Sequence, residues 1–149
     1  GIVPDVLTTA KGLGGGFPVG ATVVTDAVAA SIKKGDLGTT FGGGPLPCAL
    51  VEAVLDAIAS ENLLENVARR SARIFEEARV GPVVDVQGLG FLIGLRVKPK
   101  AKDVVAALRE KGVLAGGSAD PHVVRLLPPL TFGDAQVDEL LAALREIRL

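Results

Sequence analysis

The sequence predicts an α/β protein in two parts, and three observations predict it. Short β-branched runs bracket a glycine-rich loop near the start, a long apolar helix pattern follows Pro45, and after Gly81-Pro82 short strand and helix patterns alternate with brief connections. The 149 residues leave room for one modest domain or two half-domains. The break is expected at the amphipathic stretch after Ser60, giving one part at residues 1–60 and another at 61–149.

Residues 6–9 and 21–25 are the β-branched runs and read as strands. Asp26 is placed to cap a brief helix to residue 32. A second glycine-rich loop, residues 35–44, ends at Pro45, a residue favoured in the first turn of a helix because its φ is already helical. The helix expected from there to residue 60 carries Leu50, Val51, Val54, Leu55, Ala57 and Ile58 almost all round, which predicts burial between other elements. The next helix, residues 62–78, sets Leu63, Leu64, Val67, Ile74 and Phe75 against Arg69, Arg70, Arg73, Glu76 and Glu77. Strands at 83–87, 91–97, 113–115 and 122–126 and helices at 102–111 and 134–148 complete an α+β half.

Hydrophobic residues make up 48% of the chain against 22% charged, and the mean hydropathy is +0.44. That is more apolar than a free-standing domain of this size needs, so something else is expected to cover part of the surface. No apolar run approaches the roughly 18–20 residues of a membrane helix. A net charge of −1 with Lys and Arg scattered among acids gives no footprint for nucleic acid. Gly1-Ile2-Val3-Pro4 has no basic flank or cleavage site and reads as mid-protein sequence. The single cysteine, Cys48, allows no internal disulfide, fits a reducing cytoplasm and is expected to be a small buried hydrophobe.

Lys11 stands at the end of an apolar run and before Gly12-Leu13-Gly14-Gly15-Gly16. A Schiff-base lysine needs such a place, partly desolvated, strand-anchored and flanked by small residues that let a planar cofactor approach. A P-loop is excluded because its lysine follows the glycines. Gly88, Gly90 and Gly94 have nearly the spacing of a dinucleotide fingerprint, but the last glycine is late and strand rather than helix follows. Thr39 and Thr40 lie just before a helix start, where they read equally as a cap and turn or as a phosphate site. Arg125 is one cation inside Val123-Val124-Arg125-Leu126-Leu127-Pro128, which implies a carboxylate partner, either an internal Asp or Glu or a ligand. His122 has only Asp120 nearby and reads as a solvated histidine, not a zinc ligand.

Three motifs in register, Thr8-Thr9-Ala10-Lys11-Gly12-Leu13-Gly14-Gly15-Gly16-Phe17-Pro18-Val19-Gly20-Ala21, Gly38-Thr39-Thr40-Phe41-Gly42-Gly43 and Arg125-Leu126-Leu127-Pro128-Pro129-Leu130, resemble class III pyridoxal-phosphate aminotransferases, most closely the acetylornithine aminotransferase group. The resemblance implies the C-terminal part of a fold-type I transferase, with the end of the large α/β domain followed by a small α+β domain. It implies a cytoplasmic homodimer with shared active sites, acting on an amino acid and a 2-oxo acid in arginine biosynthesis. By the same resemblance Lys11 forms the Schiff base with pyridoxal 5'-phosphate and shuttles the proton. Thr40, with Thr39 as a weaker neighbour, reaches the cofactor phosphate of the other subunit, and Arg125 binds the substrate carboxylate. The alternative is a non-catalytic module of this fold that contributes an oligomer interface. Two positions depart from the family pattern, Gly44 where Asn is usual and Gln87 where Arg is common. The family's phosphate turn, ring-stacking residue and pyridine-pairing aspartate precede the lysine and are not in this chain, which by itself is expected to be inactive.

Overall fold

Val6–Ala10 (β1) and Gly20–Val24 (β2) pair antiparallel from Val6↔Val24 to Ala10↔Gly20, so the glycine-rich segment is the loop of a hairpin. A computed structural model describes residues 1–40 and 42–149, and Phe41 of the second glycine motif lies outside the described residues. The chain divides into two units, Gly1–Glu61 and Asn62–Leu149.

In the first unit a one-turn helix, Asp26–Ala29 (α1), follows β2. Its N-cap is Thr25 and not Asp26, which instead occupies the first helical turn, where its carboxylate faces the positive end of the helix dipole. Helix α2, Pro45–Ser60, starts on Gly44 with Pro45 in its first turn. The expected burial of α2 is not found, because no residue of it is buried and Leu46 and Leu55 are 60% and 52% exposed. Only the stripe of Pro47, Leu50, Val51, Val54, Ala57 and Ile58 is half-buried, and α2 packs against the turn after β1. Cys48 is exposed, contrary to its reading as a buried hydrophobe, because it lies off that stripe.

The second unit holds the antiparallel sheet Val83–Leu89 (β3), Leu92–Val97 (β4) and Val123–Leu126 (β5), in the order β3-β4-β5. Leu63–Glu77 (α3), Ala101–Glu110 (α4) and Asp134–Glu146 (α5) supply the helices. The period-two alternation of β4 turns Ile93, Leu95 and Val97 inward onto Ile74, Leu108 and Leu144, all almost completely buried. Gly90, at φ +54°, and Gly88, at φ +128°, shape the β3–β4 hairpin, and a Cβ on Gly88 would strike the Leu92 carbonyl. Those glycines are therefore turn residues and not a nucleotide loop.

Two expectations fail here. Residues 113–115 form no strand: the Val113 N–H donates to the Leu108 carbonyl at 2.9 Å to finish α4, and only Gly116 bridges to Arg125. On α3 the stripe toward the core runs through Val67, Arg70, Ile74 and Ala78, leaving Leu64 70% exposed and Arg70 buried. Arg70 lays its aliphatic stem along the core and donates from Nη2 to Asp134 at 2.8 Å, tying α3 to the start of α5. The α5 start is closed by Gln136, whose Oε1 accepts the Gly133 N–H at 3.0 Å.

Candidate active site

Lys11 has φ +60°, in the left-handed region, and begins a 3-10 turn, Lys11–Gly14. For an L-residue this conformation costs about 1–2 kcal/mol and persists only where the surroundings hold it. Here the turn is gripped on two sides. A Cβ on the buried Gly14 would lie 2.5 Å from Val19 Cγ1, and one on Gly15 would lie 3.2 Å from Val54 Cγ2 of α2. Gly15, at φ +59°, donates its N–H to the Gly12 carbonyl at 3.1 Å and closes the turn. The expected desolvation of the amine is not found: Lys11 is exposed, and the hollow it faces is bordered only by its own loop, Ala10, Gly12 and Gly16 through Val19. Backbone geometry, not burial, aims this side chain.

Thr39 and Thr40 are also exposed and border a larger apolar hollow of about 1160 Å³ with Phe17, Pro18, Leu46 and Leu55. Among the described residues neither hydroxyl makes a hydrogen bond, so α2 receives no side-chain cap from them. Lys11 does not border this hollow, although Phe17, Pro18 and Val19 border both. The structure therefore does not bring Lys11 and the threonines to one site within the unit. The larger hollow is the roomier, and the smaller is the one that Lys11 borders.

In the second unit Arg125 is the outward residue of β5, between buried Val124 and Leu126. Its cross-strand neighbours are Gly94 on β4 and Gly116, neither of which has a side chain. Among the described residues it has no carboxylate partner. The loop after β5 is anchored by Asn66 of α3, whose Nδ2 donates to the Leu130 and Phe132 carbonyls at 2.7 and 3.0 Å. Nothing in the local sequence marks Asn66 for this task, because its partners lie more than sixty residues away. His122 is exposed, with Nδ1 3.0 Å from the Pro99 carbonyl, and no His, Cys, Asp or Glu group suited to a metal occurs among the described residues.

The family model described as "Aminotransferase class-III" matches residues 1–147. The chain belongs to the class III aminotransferases. It is 47% identical over 148 residues to the acetylornithine aminotransferase of Streptomyces coelicolor, covering 97% of this chain and 37% of that protein. It is 44% identical to that of Mycobacterium tuberculosis, covering 99% and 38%. Among solved structures, the acetylornithine aminotransferase of Elizabethkingia anophelis superposes with a TM-score of 0.87 at 29% identity, over 97% of this chain and 40% of that one. The ornithine delta-aminotransferase of Plasmodium falciparum gives 0.87 at 30% identity, over 98% and 39%. The chain thus spans less than two fifths of the length of the curated relatives named here. Its mixed helix and sheet are part of the class III aminotransferase fold, a pyridoxal-phosphate-dependent family.

Proposed function

We propose that this class III chain carries the lysine, the partner-directed phosphate loop and the carboxylate clamp of a transaminase that moves an amino group between an ω-amino donor such as N-acetylornithine and 2-oxoglutarate. The observation that carries the reading is Lys11, a left-handed, exposed amine on a turn gripped by Val19 and Val54. A strained backbone at a reactive residue indicates a position held for chemistry.

The residues present suit part of pyridoxal 5'-phosphate. Lys11 offers the primary amine that would hold its aldehyde carbon covalently. Thr39 and Thr40 offer hydroxyls, and Gly43 at φ +68° has open space where a side chain would stand, which leaves backbone N–H groups accessible to a phosphate. When bound, the cofactor supplies an electron-withdrawing ring that acidifies the substrate α-carbon. Lys11 would take and return the proton at that carbon, and Arg125 would hold a substrate carboxylate through its guanidinium fork. That the threonines and Lys11 border different hollows supports the reading in which Thr40 serves the site of a second copy, in a homodimer with shared sites. The first unit is read as the C-terminal part of the large cofactor-binding domain and the second as the small domain. No helix among the described residues is long and apolar enough to cross a membrane.

The test is reductive trapping. The longest polypeptide that the gene encodes is incubated with pyridoxal phosphate, reduced with borohydride and digested. The expected adduct is on Lys11. An adduct elsewhere refutes the assignment, and a stable oligomer that takes up no cofactor supports the non-catalytic module.

A further inference from the structure

The outward face of the β3-β4-β5 sheet carries a row that no single stretch of sequence reveals. Gln87 pairs with Gly94, Gly94 pairs with Arg125, and Arg125 bridges to Gly116. In an antiparallel sheet, residues directly opposite one another present their side chains on the same face. Two polar side chains and two glycines thus alternate across one face. The glycines are where the polar groups rest. A Cβ on Gly94 would lie 3.2 Å from Gln87 Cγ and 3.4 Å from its Nε2, with Val123 Cγ1 of β5 at 3.1 Å, so the carboxamide leans over Gly94 beside Val123. A Cβ on Gly116 would lie 3.6 Å from an Arg125 guanidinium nitrogen.

The other charges on this face are already matched. Arg96 pairs with Asp120 at 3.4 Å, and Asp85 pairs with Arg79 at 3.3 Å. Arg125 has no such partner among the described residues, and both Gln87 and Arg125 are exposed. Adjacent strands are about 4.8 Å apart, which puts the backbones of Gln87 and Arg125 at roughly twice that spacing. The Gln87 carboxamide rests over Gly94 and the guanidinium over Gly116, so the two reach one carboxylate when the exposed Arg125 side chain swings back across β5 toward Gly94.

We infer that Gln87 is a second, neutral donor to the carboxylate held by Arg125, and that it tunes the affinity of this site for the substrate's carboxylate end. The inference rests on the reading of Arg125 given above. Gln87 donates from its carboxamide N–H across Gly94 while the guanidinium supplies the charge. A hydrogen bond to a charged group is strong enough that losing it weakens binding about tenfold or more.

The probe is glutarate, a five-carbon dicarboxylate without an oxo group, titrated calorimetrically into the cofactor-loaded longest polypeptide. Affinity is expected to fall in the order Q87R, wild type, Q87L, Q87E. Gln87→Leu should weaken glutarate about tenfold and raise KM for the 2-oxo acid with kcat little changed. Gln87→Glu keeps the size and shape but places a like charge against the ligand, so it should bind more weakly still. Equal affinity in wild type, Q87L and Q87E overturns the role of Gln87. Arg125→Ala separates the two ideas: if it binds glutarate as well as wild type does, the reading of Arg125 fails. If only R125A loses binding, Gln87 alone is dismissed. A Gln87 that mattered only for folding would lower Tm in Q87L and leave the affinity order flat.

Discussion

The two units are built from sequence of similar apolar character, yet only one of them has a core. Every buried hydrophobic residue lies between Ile74 and Ile147, in the second unit, whereas Gly14 is the one buried residue among the described residues of the first. The second unit closes three strands against α3, α4 and α5, so its alternating residues have somewhere to go. In the first unit β1 and β2 form a two-stranded pair, and Val6, Leu7 and Val23 stand 49%, 47% and 60% exposed. An isolated hairpin of that kind is marginal in water. The difference teaches where each kind of residue was placed: the unit with a core carries Arg125, and the open unit carries Lys11 and the threonine loop.

The sharpest way to break this division is at Lys11. In the longest polypeptide, Lys11→Ala should lower amino transfer by about a thousandfold with the melting temperature unchanged, since the side chain touches nothing that a fold needs. A retained rate would move the chemistry out of the first unit altogether. Next comes the core itself. Leu95→Ala, at a fully buried site, should cost about 2–5 kcal/mol, while Leu55→Ala in the 149-residue chain should stay within about 0.5 kcal/mol. Denaturant melts of the two variants compare the units directly, and similar losses would contradict the contrast.

Hydrogen exchange on the 149-residue chain sharpens the same point without substitution. Amides of β4 should be the slow ones, and those of β1 and β2 should exchange close to the rate of open structure. Arg70 offers a smaller effect. Its Nε and Nη1 are buried without partners among the described residues, so the ion pair to Asp134 only partly offsets the desolvation of the guanidinium. Arg70→Met should therefore change stability by no more than about 1 kcal/mol, and a loss as large as that of Leu95→Ala would show the pair to be worth far more. By contrast Arg73, bonded to Glu77 and Asp138, is held firmly charged.

The smallest effect is at Glu146. The hydrogen bond from Lys111 at 2.6 Å holds this carboxylate below its ordinary pKa of 4.5. A depressed folded-state pKa contributes stability that is present above the unfolded value and lost as pH falls through the folded one. Glu146→Gln should thus narrow the stability gap between neutral and acid pH slightly, all of the change lying below about pH 4.5. The Glu146 side chain is 68% exposed, and added salt should weaken the difference.

Much of this was legible in the sequence, because local signals are strong where the physics is local. The β-branched runs set β1 and β2, Pro45 set the start of α2, and the glycines around Lys11 announced a turn that a side chain would crowd. The three motifs point to the family by their order and spacing alone. Two of the differences fall where a residue's partner lies in another element. The face of α3 was misread at Leu64 and Arg70, because only the arrival of Asp134 from α5 makes the inside of a helix tolerable to a guanidinium. Residues 113–115 were read as a strand, because nothing local shows the Val113 N–H turning back to α4.

By itself, then, the sequence determined the family, since a lysine before glycines, a threonine loop and a lone arginine are patterns of composition and order. Only the tertiary structure decided their company. It placed Lys11 in a left-handed turn braced by Val19 and Val54, kept the threonines at a different hollow, and aligned Gln87 with Arg125 across Gly94. Such neighbours are set by strand register and helix packing, which are collective properties that no short stretch of chain contains.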